Sequence, residues 1–467
     1  MQLVFPESMP ELAPSLPLLR AERAETEAVF GIPVQFVEAD PGNGPRWVVR
    51  IDAEREDNRL VWDPETLVLT SHARDADGLM TTFNELHSLV ALDVDVVDDR
   101  PHGTMAEAVE RLRREIAGTF PGFGIRNLDW EEITARHVRD HGAGMTFEDL
   151  QRWVAALGDA HTAIRRPVPV YHPPYAVELS VHGATIRRVR QGSDAWQAGV
   201  RAGWSLAVDD PAGWIARNSA PPHALGLTAG RRAIALEGVE QRSFTATGPG
   251  GQTLGWTEHA TPPSLERVFR WRRHDARTGV VWLGNWFTGI GLEDALDEAL
   301  VALRGATRLV LDLRGNTGGN LMLAMATRRR FLRERTRLGT IRFTRGDGTL
   351  ADPVTLRDEP SEERVRWEGE LVVLTDPLTY SASEDFLLGL QGLPHVTVIG
   401  QRSGGGSERP RTIRLLDDIL VTISTALTFD RNGTCIEGHG IPVDIETPVF
   451  AMEDGDAAMN AAVEARG

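Results

Sequence analysis

Two turns in the second half of the sequence bring together residue types that can form and stabilise a covalent intermediate. The first, residues 312–320, reads DLRGNTGGN and places three glycines within five residues. Glycine lets backbone N–H groups converge on one point and lets a bound group approach the backbone closely. Such a turn can cradle a phosphate or the oxyanion of an acyl-transfer reaction. The phosphate interpretation is weak because the spacing is not G-x-G-x-x-G, and a tight turn that serves only packing is the remaining alternative.

The second turn, residues 379–386, reads TYSASEDF and offers Ser381 as a nucleophile. A serine at the end of a buried strand, with a helix amino terminus behind it, gains from the helix dipole and from free N–H groups when negative charge develops on a carbonyl oxygen. The same letters also fit an S-x-x-E capping box formed by Ser381 and Glu384, which is a common way to start a helix. Residue types and spacing alone leave both interpretations open.

The elements around these turns predict where the turns lie. Residues 308–313, 370–375 and 396–400 are apolar runs typical of buried strands, whereas residues 320–332 and 383–392 have helical patterns. Strand, turn and helix repeated in this order predict right-handed parallel crossovers. In parallel sheets, functional sites gather beyond the carboxyl ends of the strands, which is where both turns fall.

The composition is that of an ordinary globular protein with several domains. The chain has 467 residues, of which 41% are hydrophobic and 25% are charged, and this length predicts two to four domains. The formal net charge of −17 argues against nucleic acid and against an anionic membrane surface as partners, because both demand a basic protein surface. No apolar run approaches the roughly 20 residues that cross a bilayer.

All 50 basic residues of the chain are arginine. Without lysine the chain cannot form a Schiff base, a Walker-type phosphate loop or a serine–lysine dyad. Cys435 is the single cysteine, so no internal disulfide can form, and residues 1–10 have neither the basic nor the apolar region of a secretory signal. These features predict a cytoplasmic protein, and we expect no metal or other cofactor.

Four segments are expected along the chain. Residues 1–72 mix short extended stretches with a charged, helix-like run at 18–29 and have no assigned role. Residues 73–166 are predicted to be helical, with Thr146 capping the last helix. Residues 167–230 are expected to form a smaller strand-rich module, and residues 231–467 an α/β catalytic core.

The ordered motifs of residues 312–319, 380–384, 398–400 and 437–441 resemble those of the carboxyl-terminal-processing, or tail-specific, serine peptidase family. Residues 192–204 resemble the second half of a PDZ module, although Trp204 stands where that module usually has an aspartate. The resemblance covers roughly residues 76–450. It implies a multidomain α/β fold in which a parallel-sheet crossover core of the ClpP/crotonase-like type is combined with a helical region and a PDZ-like module.

The resemblance also implies roles for individual residues. It makes Ser381 the nucleophile, because this serine precedes the Ala-Ser-Glu motif. It assigns the oxyanion hole to backbone N–H groups of Gly318 or Gly319 and of Ala382. The module is implied to capture an extended peptide, or the carboxylate of a peptide, by strand addition.

The chain departs from the bacterial branch of that family at the general base. Where that branch has a lysine in a Gly-Lys-Gly turn, residues 403–407 here read SGGGS. The related tricorn-type branch uses a histidine and a glutamate, which carry over to His161 and Glu437. An ordinary histidine pKa near 6.5 suits a base that works at neutral pH. Because Ala160 replaces the serine that precedes the histidine in that branch, Glu437, Asp159 and Thr162 all stay open as the group that orients His161.

Other histidines offer alternatives. His439 is a rival base because it is close in sequence to Glu437, and His161 could instead be a helix-end histidine satisfied by a carbonyl. His137 and His141 stand four residues apart on a predicted helix and could ligate a metal. However, no glutamate beside His137 completes a zincin motif, which favours a solvated helix face.

Together these observations predict a serine peptidase that hydrolyses peptide bonds through an acyl-enzyme, with peptides or unfolded proteins as substrates. Three alternatives stay open. The same machinery could hydrolyse a non-peptide ester or amide, it could catalyse an intramolecular cyclisation, or the chain could be a binding protein that keeps the fold without hydrolysis. A homo-oligomer is compatible with the sequence.

Overall fold

The computed structural model describes residues 2–4, 27, 35–37, 42–100, 103–142, 144–407, 409–448 and 456–464. The helix-like run expected at residues 18–29 lies outside this part of the chain, except for Glu27. Among the described residues, no helix is both long enough and apolar enough to cross a membrane.

The strands are numbered in chain order. They are β1 (Gln2–Val4), β2 (Gln35–Val37), β3 (Arg46–Ile51), β4 (Arg59–Asp63), β5 (Val68–Ala73), β6 (Val96–Asp98), β7 (Ala163–Arg165), β8 (Val170–Tyr171), β9 (Tyr175–Ser180), β10 (Gly183–Val189), β11 (Ser205–Leu206), β12 (Leu236–Glu237), β13 (Gln241–Thr247), β14 (Thr253–His259), β15 (Phe269–Arg273), β16 (Thr278–Leu283), β17 (Arg308–Asp312), β18 (Thr336–Phe343), β19 (Val354–Asp358), β20 (Glu370–Thr375), β21 (Val396–Gly400), β22 (Arg411–Leu416), β23 (Ile419–Ile423), β24 (Ala426–Asp430) and β25 (Ile445–Glu446).

The helices are numbered in the same way. They are α1 (Ala76–Ala91), α2 (Met105–Thr119), α3 (Phe123–Arg126), α4 (Trp130–His141), α5 (Phe147–Ala155), α6 (Asp194–Gln197), α7 (Pro211–Ala216), α8 (Leu225–Ala233), α9 (Leu265–Val268), α10 (Leu292–Ala302), α11 (Leu321–Arg328), α12 (Ala382–Leu388) and α13 (Ala457–Glu464).

A six-stranded sheet with the order β15-β16-β17-β20-β21-β25 forms the α/β core. Strands β16, β17, β20, β21 and β25 run parallel, and β15 pairs antiparallel at one edge. The predicted apolar strands are present as β17, β20 and β21, and the predicted helices follow them as α11 and α12. Leu311 and Val373 from the sheet pack against Phe386 from α12 in one buried cluster. The parallel crossovers therefore bring both motif-bearing turns to the same edge of the sheet.

The sequence pattern placed the end of the amino-terminal segment at residue 72. In the structure this segment continues beyond that residue. Its sheet has the order β2-β1-β3-β5-β4-β6, so the chain returns to it at residues 96–98 after α1. Helix α1 buries Leu79 and Phe83 in the same cluster as Trp47 and Leu60 of the sheet. The boundary drawn between residues 72 and 73 thus divides one packed unit, because the apolar face of α1 needs this sheet to cover it.

Helices α2 to α5 form the helical region that was predicted. Thr146 caps α5 and shares a capping box with Asp149. The helices enclose a cluster that includes Trp153 and is completed by Ile413 and Val421 from strands β22 and β23. Strand β7, which follows α5, pairs with β23 and joins this region to the carboxyl-terminal part of the chain.

The module that follows is larger than predicted. Its five-stranded sheet has the order β14-β13-β11-β10-β9, so residues 241–259 belong to it, and the predicted boundary at residue 230 falls inside α8. Phe244 and Trp256 of the last two strands pack edge-on against Tyr175 of the first, with ring centroids 5.9 and 5.7 Å from its ring. These contacts close one small core that the first part of the module could not close alone.

Helix α8 lies directly on the outer edge of β9. A Cβ atom at Gly230 would stand 2.0 Å from the Val177 carbonyl oxygen, and one at Gly226 would stand 2.7 Å from the Leu179 carbonyl oxygen. The two glycines, four residues apart on one helix face, therefore let the helix backbone cover the strand edge. The expected strand addition of a peptide at this edge is not available in this arrangement, because the helix occupies the space of the added strand.

A buried charge network ties the amino-terminal unit to the strands near the core. Arg411 of β22 donates to Glu115 of α2 and to the Ser88 hydroxyl of α1, the latter over 2.6 Å. Arg111 bridges Glu115 and Glu85 over 3.3 and 3.1 Å. All of these side chains are buried. Buried ion pairs add little net stability, but removal of one partner leaves an uncompensated charge.

Replacement of Arg411 by methionine should therefore destabilise the protein strongly. We expect a loss of about 3–5 kcal/mol in the free energy of unfolding, because Glu115 keeps its charge but loses a partner in a dry site. Urea denaturation followed by circular dichroism measures this loss. Arg335→Met, at an exposed position, is the control and should change the midpoint very little. Equal midpoints for the two variants would contradict the importance of the network.

Candidate active site

The two turns predicted from the sequence meet at the carboxyl edge of the core sheet. Tyr380 N–H donates to the Asn316 carbonyl oxygen (3.0 Å), and the Ser383 hydroxyl donates to the same oxygen (3.1 Å). The Asn316 side chain is buried, donates to the Leu283 carbonyl (3.0 Å) and accepts the Gly318 N–H (3.0 Å). Asn316 thus fixes the shape of the glycine turn and attaches it to the serine turn.

Ser381 has an unusual backbone conformation. Its φ of 59° and ψ of −124° lie outside the regions that non-glycine residues favour. Helix-capping residues normally have extended φ and ψ values, so the capping-box interpretation, although it holds for the hydrogen bonds of this turn, does not explain the conformation. Strain of this kind costs of the order of 1–3 kcal/mol and is typical of a nucleophile on a sharp strand-to-helix turn.

Gly318 stands directly opposite Ser381. A Cβ atom at Gly318 would lie 2.7 Å from the Ser381 Cβ and 3.0 Å from the Ala382 nitrogen, and its φ is +99°. Both the space and the conformation therefore require glycine. The close approach of the two turns is what permits them to act on one reacting atom.

Two N–H groups beside Ser381 are available to a ligand. Within the described part of the chain, the N–H groups of Gly319 and Ala382 have no hydrogen-bond partner, whereas the Gly318 N–H is held by Asn316. Gly319, Ser381 and Ala382 line the same cavity of about 250 Å³. Of the two glycines that the sequence left open as oxyanion donors, the geometry favours Gly319, and Gly318 provides the close approach.

Glu384 is a residue of the site that sequence reasoning assigned only to a capping box. Its fully buried carboxylate accepts the Ser403 hydroxyl (2.5 Å) and the N–H groups of Gly405, Gly406 and Ser381 at 2.8, 2.7 and 3.2 Å. Burial raises the pKa of Glu384 to about 8, against the opposite effect of these donors. The carboxylate thus attaches the nucleophile turn to the SGGGS loop, and that second role could have been suspected from the three adjacent glycines.

The SGGGS loop, residues 403–407, is bound by buried carboxylates. Ser407 N–H donates to Glu437 (2.9 Å), and the Ser407 hydroxyl donates to Asp385 (2.7 Å). Asp385 also receives two hydrogen bonds of 2.8 Å from the Arg409 guanidinium. Glu437 in addition accepts the Thr428 N–H (2.9 Å), so both of its oxygens hold backbone groups.

The structure places His161 against the nucleophile turn. Its ring packs on the Tyr380 ring with centroids 4.6 Å apart, and its Nδ1 lies 3.3 Å from the Tyr380 hydroxyl oxygen. Burial lowers the pKa of His161 below its ordinary value, although Asp159, Glu437 and Glu384 favour the charged form. At neutral pH the imidazole is therefore neutral, as a general base must be.

Asp159 fixes the backbone at His161. Its buried carboxylate accepts the His161 N–H (3.2 Å) and the hydroxyls of Thr162 and Ser424 (2.5 and 2.6 Å). Burial by itself would raise the pKa of Asp159, but Arg126, His161 and these hydroxyls hold it below its ordinary value. Of the three orienting groups left open by the sequence, Asp159 thus acts on the main chain of His161, Thr162 acts only through the Asp159 carboxylate, and Glu437 acts through its charge. Tyr380, which the sequence did not single out, contacts the ring.

The other histidines lie in different surroundings. His439 Nδ1 is 3.0 Å from the Glu437 carbonyl oxygen, which makes it part of its own loop. His137 and His141 have ring centroids 4.4 Å apart, and His141 lies 3.3 Å from Asp149. No group of three or more residues suited to hold a metal occurs among the described residues.

Helix α1 supplies one wall of the cavity that contains Ser381. Phe83, Leu86 and His87 line it, together with Leu321 of α11. Burial, with Arg411 nearby, lowers the pKa of His87 to about 3, so this histidine is too weakly basic to serve as the base near neutral pH. A helical pattern in the sequence does not tell which surface the helix covers, so this contribution of the amino-terminal unit could not be predicted.

Comparison with known proteins agrees with this geometry. Residues 277–447 match the model of peptidase family S41, and this segment contains both turns, Ser381 and Glu437. The chain is 33% identical to a carboxy-terminal-processing protease of Bartonella bacilliformis over 139 residues. This alignment covers 29% of this chain and 30% of that protein. It is 28% identical to the nisin-resistance protein of Lactococcus lactis subsp. lactis over 150 residues, an alignment that covers 30% of this chain and 46% of that protein.

The chain therefore spans less than half the length of the two curated relatives it matches. Its fold is similar to that of mature CPAF, solved in complex with lactacystin, with a TM-score of 0.56 and 12% sequence identity. That likeness covers 74% of this chain and 94% of the other. It shows a shared mixed α/β, multi-sheet fold.

Gly318→Ala tests the geometry of the two turns. The added methyl group would push on Ser381 and Ala382, so we expect covalent labelling of the protein by a fluorophosphonate to slow by about 10²-fold or more. Gly392→Ala is the matched control, because Gly392 also has a positive φ (+77°) but open space around its Cβ position. Equal labelling rates in the two variants would mean that the close approach of the turns is unimportant.

Proposed function

We propose that this protein is a serine peptidase that cleaves peptide bonds through an acyl-enzyme on Ser381. The observation that carries the proposal is the strained Ser381 between two unpartnered N–H groups in one cavity. A peptide carbonyl placed there would have its carbon beside the serine hydroxyl and its oxygen between Gly319 and Ala382. The negative charge that develops on this oxygen would then be stabilised by donors that are already in position. The match of residues 277–447 to the S41 peptidases supports the same chemistry.

His161 is the base that we propose for this reaction. Its neutral imidazole lies at the turn that carries Ser381, and the chain contains no lysine to replace it. With Nδ1–H donated to the Tyr380 hydroxyl, Nε2 would keep the lone pair that accepts the serine proton. Buried carboxylates at Asp159 and Glu437 would stabilise the imidazolium that forms. The histidine base is the reason to place the chain nearer to the tricorn-type branch than to the serine–lysine branch.

The remaining assignments complete the proposal. The core is interpreted as ClpP/crotonase-like and the module as PDZ-like, and peptides or unfolded proteins are the substrates. Because α8 covers the edge of β9, an extended substrate would reach Ser381 without strand addition at that edge. Cytoplasmic location remains the expectation from the sequence.

Ser381→Ala should abolish labelling and lower kcat by roughly 10³-fold or more while the protein stays folded. Labelling by a fluorophosphonate and hydrolysis of casein-derived peptides provide the measurements. Ser193→Ala is the matched control, since the Ser193 hydroxyl caps α6 by accepting the Trp196 N–H. A residue that only caps a helix should cost about 1 kcal/mol of stability and leave activity unchanged. If Ser381→Ala behaved in that way, the nucleophile would be wrong and the binding-protein alternative would stand.

The base is tested by the pH dependence of kcat/KM. Activity should rise as His161 loses its proton, with an apparent pKa below 6.5, because burial favours the neutral ring, and it should stay high toward pH 8. Glu437→Gln removes a charge that favours the imidazolium and should move this limb to lower pH. His161→Ala should lower kcat about as much as Ser381→Ala, and the double variant should be little worse than either. His439→Ala is the control and should lower kcat only slightly. If His439→Ala inactivated the protein and His161→Ala did not, His439 would be the base.

A further inference from the structure

A second and larger cavity lies between the module and the core, away from the Ser381 hydroxyl. This module–core cavity has a volume of about 680 Å³ and is enclosed by β8, β9 and α8 on one side and by β15, β16 and the glycine turn on the other. Cavities of this size hold small organic ligands. Seven arginines line it, three from the module and four from the core, whereas Asp312 is the one carboxylate among the described residues around it.

Five of these arginines have no ionic partner. Arg314 is paired with Asp312 and Asp456, and Arg188 lies 3.7 Å from Asp376. Within the described residues, no ion pair is formed by Arg272 or by four others, namely Arg190, Arg231, Arg267 and Arg270. Their positive charges therefore line the cavity without a carboxylate in ion-pair contact, and such a cluster of like charges favours an anionic ligand.

The four arginines come from both walls, and three of them are close neighbours. Arg190 of the module donates to the Arg267 carbonyl of the core over 3.1 Å, and burial and the charges of Arg270 and Arg267 lower its pKa. Burial, with Arg232 beside it, lowers the pKa of Arg231 to about 10. Glu258, which acts electrostatically on Arg190, has its pKa raised by burial to about 7, so its charge compensates this cluster only in part at neutral pH.

Polar atoms in the wall also lack partners. The Arg190 Nε–H and the His172 Nδ1 are buried and have no hydrogen-bond partner in the described part of the protein. Such orphaned groups are rare in folded proteins and normally indicate a bound water, ion or ligand. Aromatic rings support the guanidinium groups: Arg270 lies 4.6 Å from the Trp282 centroid and Arg267 lies 4.4 Å from the Tyr171 centroid. These ring contacts hold the planar guanidinium groups of Arg267 and Arg270 in fixed positions.

The cover of β9 favours a compact ligand over an extended one. A peptide that reached the cavity as an added strand along β9 would meet α8, which lies on that edge at Gly226 and Gly230. A ligand that lies wholly inside the cavity needs no such path. We propose that the module–core cavity binds a small polyanion, a molecule with two or more phosphate or carboxylate groups, through Arg190, Arg231, Arg267 and Arg270.

Inorganic pyrophosphate and citrate are the probes, because they carry the two anion chemistries without a peptide chain. Each should raise the thermal unfolding midpoint and bind in isothermal titration calorimetry at constant ionic strength. Preference for one of them identifies the anionic group. The double variant Arg231→Met and Arg270→Met should bind the preferred probe about tenfold or more weakly. Its own midpoint without ligand should be unchanged or higher, since two unpaired charges are removed.

Weaker binding together with an unchanged or higher midpoint would show that the double variant has lost the binding site and kept its fold. Arg335→Met, exposed and outside the cavity, should keep both the midpoint and the binding of wild type. The proposal is overturned if neither probe binds at millimolar concentration, or if the double variant binds as wild type does. It is also overturned if only peptides with a free carboxyl terminus bind and their amidated forms do not, because the cavity would then be a peptide-terminus site.

Discussion

The carboxylate of Glu384 is the group on which the arrangement of the site depends. It is fully buried, and it holds the N–H of Ser381 and two N–H groups of the SGGGS loop at the same time. A buried acceptor of this kind stabilises the site only while every donor stays in place, because a lost donor leaves an unsatisfied polar group. The strained backbone of Ser381 is thereby held by contacts on both sides of the turn.

The same constraint shapes the SGGGS loop of this lysine-free chain. The loop binds three acidic side chains, Glu384, Asp385 and Glu437. Acids that would attract a lysine ammonium instead hold backbone N–H groups and one arginine. The charges of Asp385 and Glu437 also reach His161, where they oppose the effect of burial on the imidazole pKa. His161 and the lysine-free loop are thus parts of one electrostatic arrangement.

The core and its two turns could be predicted because their signals are local. Strands β17, β20 and β21 are buried on both faces and so appear as continuous apolar runs, and the glycine-rich turn is evident from composition. The role of Glu384 was hidden, since S-x-x-E also describes a helix cap. The extent of the module was missed because β13 and β14 alternate polar and apolar residues like any exposed hairpin. The closure of its edge depends on Gly226 and Gly230, which let α8 contact the backbone of β9. A periodic pattern in the sequence does not reveal such contacts between distant residues.

We propose that Ser381 accepts the acyl group of a peptide or ester, with His161 taking the serine proton and the amine or alcohol leaving. Acid quenching of the protein during turnover of a p-nitrophenyl ester, followed by peptide mapping in a mass spectrometer, tests it most directly. The account predicts one acyl group on the peptide that contains Ser381, formed rapidly by wild type and very slowly by His161→Ala. An acyl group on another residue, or continued turnover with no acylated peptide, would contradict it.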